Sequence, residues 1–244
     1  MGQDIRSQLG ISIEVLKETM NQLEQMKQEA SEQEQSDKVA ETLALVHLLF
    51  TGSLRGNEVL LLDLHGLRTH INKGKTNKNH PHVVAPLLGR FKGEDGERYH
   101  MLLIASVTHS GLNTRKYLEQ LIELRTRQGY FKGPAFCKNN GSPADLSDCE
   151  PYLYDALLRV QTRCENVIGE EVEVTEVYGF SRSFRRGSTT RAKEAGISES
   201  LVDEINRWSK VERAQGKRPA LPLRDHYTEV VQLLERRIRY SAAL

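Results

Sequence analysis

Three arginines within five residues, in Arg182-Ser183-Phe184-Arg185-Arg186-Gly187, constrain this chain more than any other feature. A guanidinium stays charged at any cellular pH and offers a planar fork of donors, so guanidiniums gathered in one place need an anion between them. Helical spacing sets Arg182 and Arg185 at i and i+3 and Arg182 and Arg186 at i and i+4, which lets all three share one helix face or its border. Ser181 is the expected N-cap, and the first turn of a helix is itself an anion site. Alone, the segment reads more readily as a solvated basic helix face, and its neighbours in the chain must decide.

A chain of 244 residues, 38% hydrophobic and 27% charged, is long enough for one large domain with a sizeable buried core. No apolar run approaches a membrane span; the best, at 101–105, is strand-sized. No basic start with an apolar signal segment is visible, so the expectation is an intracellular protein, nuclear in a eukaryote or in the cytoplasm and nucleoid of a bacterium. Cys137, Cys149 and Cys164 have neither metal-ligand nor disulfide-framework spacing and read as reduced thiols. His80 and His82 flank Pro81 with no cysteine or carboxylate beside them, so no metal is expected, nor any other cofactor. A net charge of +1 is low for a protein that wraps DNA. The charge is segregated, however: 181–193 carries Arg182, Arg185, Arg186, Arg191 and Lys193 with no acid, while 24–41 is rich in glutamate.

Periodicity predicts a helix over 11–33, isolated ahead of the main domain, and a second over 37–50 that faces a core through Val39, Leu43, Val46, Leu49 and Phe50. Thr51-Gly52-Ser53 breaks it, and a short apolar helix resumes with Arg55 at its entrance and Glu58 three residues on, placed to hold the guanidinium. A polar loop fills 72–82. Strand-like runs at 83–89 and 98–105 are joined by a connection with two glycines, which favours a hairpin with Lys92 at its tip. Helices are expected at 112–127 and 152–168, a loop at 131–148 and an extended run at 172–178. The Arg182 helix, a helix at 197–208, a basic proline-containing insertion at 210–222 and an amphipathic helix at 228–240 complete the chain.

In chain order the candidates are Arg55 after a helix break, Lys92 in a hairpin turn, Arg182 and Arg185 on a helix, Trp208 at the end of the next, and Tyr227 near the C-terminus. Singly, Trp208 and Tyr227 are more readily packing residues. The full order resembles the catalytic domain of the tyrosine recombinases, the phage-integrase-like enzymes, some of them of mobile elements, that cut and rejoin DNA. The resemblance runs from near Asp37 to about Arg239. Leu54-Arg55-Gly56-Asn57-Glu58-Val59 is similar to the family's first arginine box, with its supporting glutamate. Gly89-Arg90-Phe91-Lys92 is similar to the strand that delivers its hairpin lysine. The segment 182–187, followed by Ala195-Gly196-Ile197, is similar to the second box, whose fourth residue is the second arginine; this assigns Arg185 rather than Arg186. Trp208 falls where the family carries histidine or tryptophan, and Tyr227 where it carries the nucleophile.

The resemblance implies an α+β fold, a mostly helical DNA breaking-rejoining core with a small antiparallel β-sheet. It divides the chain into a helix and linker at 1–35, standing where a DNA-clamping domain is usual, and a catalytic domain at 36–244. Arg55 and Arg185 would clamp the non-bridging phosphate oxygens as charge concentrates there in the transition state. Tyr227 would attack phosphorus to give a 3′-phosphotyrosyl link and a 5′-hydroxyl, Lys92 would protonate the leaving oxygen and Trp208 would buttress the phosphate. Arg90, Arg186, Arg191, Lys193 and Arg224 would contact the DNA. The implied partners are double-stranded DNA and a homo-tetramer in which protomers exchange a C-terminal element, with no membrane and no small-molecule substrate. Two departures stand out: Arg182 replaces the family's usual histidine, and the insertion at 210–222 lengthens the spacing from Trp208 to Tyr227, which makes Tyr240 a rival nucleophile. The alternatives are a type IB topoisomerase, which uses a similar residue set, and a DNA-binding protein derived from a recombinase and no longer catalytic.

Overall fold

The computed structural model of the chain describes residues 9–75, 81–89, 98–206 and 235–244. The fold is α+β and mostly helical, with one two-stranded antiparallel sheet.

Helix α2 (Gln33–Thr51) forms its axis. Every residue from Glu41 to Thr51 is buried, the pattern of a helix enclosed on all sides rather than amphipathic. Its covers are α1 (Ile13–Glu29), α5 (Thr114–Arg127), α6 (Glu150–Arg163) and α8 (Ser183–Glu194). Helix α1 starts at Ser12, whose Oγ accepts from Val15 N at 3.2 Å. The periodic side chains Ile13, Val15, Leu16, Met20, Leu23 and Met26 are buried against α2 and α6 within the same core as the rest of the chain. The helix expected to stand apart is therefore part of the core, because its apolar stripe has two partner helices. At roughly 1.5–3 kcal/mol for each fully buried aliphatic side chain, that stripe is a major contribution to stability.

After α2 come the short helices α3 (Gly56–Val59) and α4 (Leu64–His70). The sequence reading had no α4; its signal is a single cap, the Asp63 carboxylate accepting from Gly66 N at 2.7 Å. Strands β1 (His82–Gly89) and β2 (Arg98–Ala105) pair from His82 opposite Ala105 to Gly89 opposite Arg98, which is the expected hairpin. One face of the sheet sends Val83, Ala85, Leu102 and Ile104 into the main core. On the other, Val84 and Leu103 pack with Ile238 from a last helix, α10, at 235–243. Two further bonds seat α10 on its own chain: Ala105 N donates to Ser241 Oγ at 2.8 Å and His109 N to Ala242 O at 2.6 Å.

Helix α6 stops at Arg163, well before the expected Ile168, with Asn166 in the left-handed region just beyond. The β-branched run expected to be extended is instead the single-turn helix α7 (Val174–Val177), with Val174 buried against α6. β-Propensity is a preference for a pleated, half-buried surface, and among the described residues no strand lies beside this segment to supply one. Helix α9 (Glu199–Ile205) ends the region that leads towards Trp208.

Two buried polar groups brace α2. Glu41 pairs with Arg125 of α5, and both are almost fully enclosed. Arg125 also donates to Ala135 O and Gln128 Oε1, each at 2.7 Å, and Glu41 takes a second cation, Lys38, at 2.9 Å. His47 meets the Thr114 hydroxyl at 3.1 Å through Nε2 and the Tyr117 ring at 4.9 Å. Burial first, and nearby Lys116 second, push its pKa down from 6.5 to about 3. The unfolded chain therefore binds a proton that the folded protein refuses, and His47 stabilises the fold fully above pH 6.5 and progressively less as pH falls towards 3. Urea unfolding measured across this window should show stability falling with pH, and the slope should flatten in His47→Leu.

Candidate functional site

The first arginine is set by the way α2 ends. Gly52 closes the helix through Gly52 N to Leu48 O at 2.9 Å, and Ser53 takes a positive φ of 49°, which turns the chain so that Leu54 is buried and Arg55 begins α3. With Glu58 in the first turn, its carboxylate folds back on the residue before the helix. Glu58 Oε2 accepts from Arg55 N at 2.9 Å, and Oε1 from Arg55 Nη1 at 3.3 Å. The Arg55 side chain is 37% exposed and that of Glu58 only 7%.

The second arginine comes from α8. The Ser183 hydroxyl accepts from Gly179 N at 3.1 Å within the preceding turn, and the helix starts one residue later than expected. Arg182, not Ser181, takes the N-cap position, without a side-chain cap bond. The three arginines do not act as one face. Phe184, stacked on Phe180 with centroids 5.8 Å apart, turns the helix so that Arg185 is buried while Arg182 and Arg186 are exposed. Arg185 Nη1 donates to Glu58 Oε2 at 3.4 Å, and Nη2 donates to the backbone oxygen of Asn206. A single carboxylate thus touches both Arg55 and Arg185, which come from boxes far apart in the chain.

Helix α8 is held from behind by the N-terminal segment. Leu9 N donates to Val177 O at 2.8 Å and Ile11 N to Ser183 O at 3.0 Å. Gly10 crosses the helix at Gly187, where a Cβ would come within 1.9 Å of Ile11 O. The glycine after the arginine pair is thus required for this crossing.

Of the remaining expected site residues, Arg191 pairs with Glu194 at 3.8 Å and Lys193 with Glu199 at 3.2 Å, at the far end of α8. Arg90, Lys92, Trp208, Arg224 and Tyr227 lie outside the described residues. Tyr240, the rival nucleophile, is 1% exposed, and its hydroxyl donates to Ser53 Oγ at 3.3 Å inside the core. Sequence reasoning missed Ser53, Ser188 and Asn206, small polar residues that are all buried around Arg185. Nothing in their local sequence sets them apart from exposed polar residues.

Gly187→Ala should push the N-terminal segment off α8. The expected cost is about 1–3 kcal/mol, the usual range for overpacking, seen as a lower urea midpoint. Gly196→Ala provides the comparison: its φ of +79° also strains a Cβ, yet nothing lies within 4 Å of it. It should therefore leave the Leu9 and Ile11 amides protected from hydrogen exchange, whereas Gly187→Ala should expose them.

No protein-family model matches this chain, and no curated protein matches it, so its own residues carry the functional reading.

Proposed function

We propose that the chain is a DNA breaking-rejoining enzyme of the tyrosine-recombinase type, acting on double-stranded DNA without metal or ATP. The observation that carries this reading is the Glu58 carboxylate held between Arg55 and Arg185. Two guanidiniums meet at one carboxylate where burial strengthens electrostatic interactions, and Arg55 keeps access to solvent. A phosphodiester brings the complementary charge. Its negative charge shields phosphorus from nucleophiles, and two fixed guanidiniums stabilise the further charge that gathers on the non-bridging oxygens.

In this mechanism the Tyr227 phenol attacks phosphorus and gives up its proton to water, the P–O5′ bond breaks, and the leaving 5′-oxygen takes a proton from Lys92. The 3′-phosphotyrosyl ester conserves the bond, so reversal by a 5′-hydroxyl reseals the strand. Trp208 packs on the phosphate. Arg186 and Arg182, exposed on either side of Arg185, would contact the DNA backbone. DNA-bound protomers assemble as a tetramer. Arg182 favours a second reading. An arginine cannot exchange protons as the histidine usual at this position does, and a protein that binds DNA without cutting it would retain the same charge.

The test is a pool of nicked duplexes of randomised sequence that trap the covalent intermediate. Wild-type protein should form a denaturant-resistant adduct, and Tyr227→Phe should form none. Arg185→Lys, which keeps the charge and loses the fork, should slow adduct formation by about 10²–10³-fold, the usual cost of one transition-state donor. An adduct that persists in Tyr227→Phe would refute the assignment. Salt-sensitive DNA binding with no adduct from either protein would select the second reading.

A further inference from the structure

Arg185 is fixed by more than Glu58. Its Nη2 donates to the backbone oxygen of Asn206, and Asn206, 0% exposed, is itself held at both ends of its carboxamide. Oδ1 accepts from Ser53 Oγ at 2.8 Å, and Nδ2 donates to Thr189 Oγ1 at 3.1 Å. One side chain thus bridges the turn that carries Arg55 to the helix that carries Arg185. Ser53 is the junction of this unit. A hydroxyl has one hydrogen and two lone pairs. Ser53 donates to Asn206 and accepts from Ser188 Oγ at 3.0 Å and from Tyr240 Oη at 3.3 Å, which uses all three. Ser188 can spare its hydrogen, since Arg185 O already accepts from Thr189 Oγ1 at 2.7 Å.

Ser53 also sits at φ 49°, a region costly for any residue with a Cβ. Glycine would fit the backbone better. The position carries a serine instead, and each hydrogen-bonding site of its hydroxyl is occupied inside the core.

We infer that Ser53 and Asn206 are positioning residues for Arg185, and that Tyr240 links the seating of α10 to the aim of that guanidinium. The network orients the donor fork before any ligand arrives, so that no reorganisation is needed when charge develops in front of it. A catalytic consequence rests on the proposed function, whereas the orientation of Arg185 does not.

Two substitutions separate positioning from stability. Ser53→Ala loses the hydroxyl and keeps the backbone strain. Ser53→Gly loses the hydroxyl and relieves the strain, so its urea midpoint should be the higher of the two. The first readout is hydrogen exchange of the Arg185 side-chain N–H signals by NMR, assigned by their absence in Arg185→Lys. Exchange should accelerate about tenfold or more in both Ser53 variants, the order of one lost buried hydrogen bond, and less in Tyr240→Phe. The second readout is the rate of phosphotyrosyl adduct formation at saturating DNA, which should fall in both variants while DNA affinity holds.

Faster exchange in both variants without any adduct from wild-type protein upholds the positioning unit and removes the catalytic reading. Wild-type exchange in Ser53→Gly overturns the positioning unit, whatever the adduct rate. An adduct at the wild-type rate in Ser53→Gly, with exchange accelerated, removes the link from Arg185 orientation to the chemistry.

Discussion

The Glu58 carboxylate is the contact on which the arrangement of the site depends. Two unit charges about 4 Å apart repel by about 4 kcal/mol at an effective dielectric near 20, so Arg55 and Arg185 would not settle together unaided. A carboxylate that touches both replaces that repulsion with two attractions. Burying the carboxylate has its own desolvation cost, which local geometry offsets. Position i+3 of a first helical turn brings Glu58 back onto the Arg55 amide, a bond that the four-residue helix α3 makes by being helical at all.

A second buried cluster uses the same charges to a different end. Glu41 also takes two cations, Arg125 and Lys38, and it too ties helices together. There Arg125 is 2% exposed, and its donors end on Glu41, Gln128 and the Ala135 carbonyl. Arg55 differs in being more than a third exposed beside its carboxylate. Charge stoichiometry alone therefore does not separate the two clusters; the exposure of Arg55 does.

Much of this was legible in the sequence where a signal repeats or stands alone in type. The stripes of α1, α2 and α5 repeat over three or more turns, and the glycine-bearing connection between 89 and 98 announces its hairpin. The Arg55–Glu58 contact was legible because a carboxylate three residues on from an arginine falls within its reach in a helical turn. Failures came where the deciding partner is distant. Helix α4 has one cap and too few turns for a period, and α7 has strand-like residues but no strand to join among the described residues. The expectation that Arg182, Arg185 and Arg186 share one helix face failed because Phe180 and the Gly10 crossing, not the spacing, set the rotation of α8. Ser53, Ser188 and Asn206 were invisible for the same reason, since a buried hydroxyl acquires meaning only from the group it meets.

That crossing also bears on how the molecule assembles. The backbone bonds from Leu9 and Ile11 reach residues 177 and 183, so these two residues find their partners only after most of the chain has been made. Contacts of such long sequence range form late, because the entropy of closing the loop must be met before they return anything. During synthesis the apolar stripe of α1 waits for α6 as well, exposed to whatever else is present. Arg185 is thus among the last parts to be set, and a chain interrupted before α8 carries Arg55 and Glu58 without the second guanidinium.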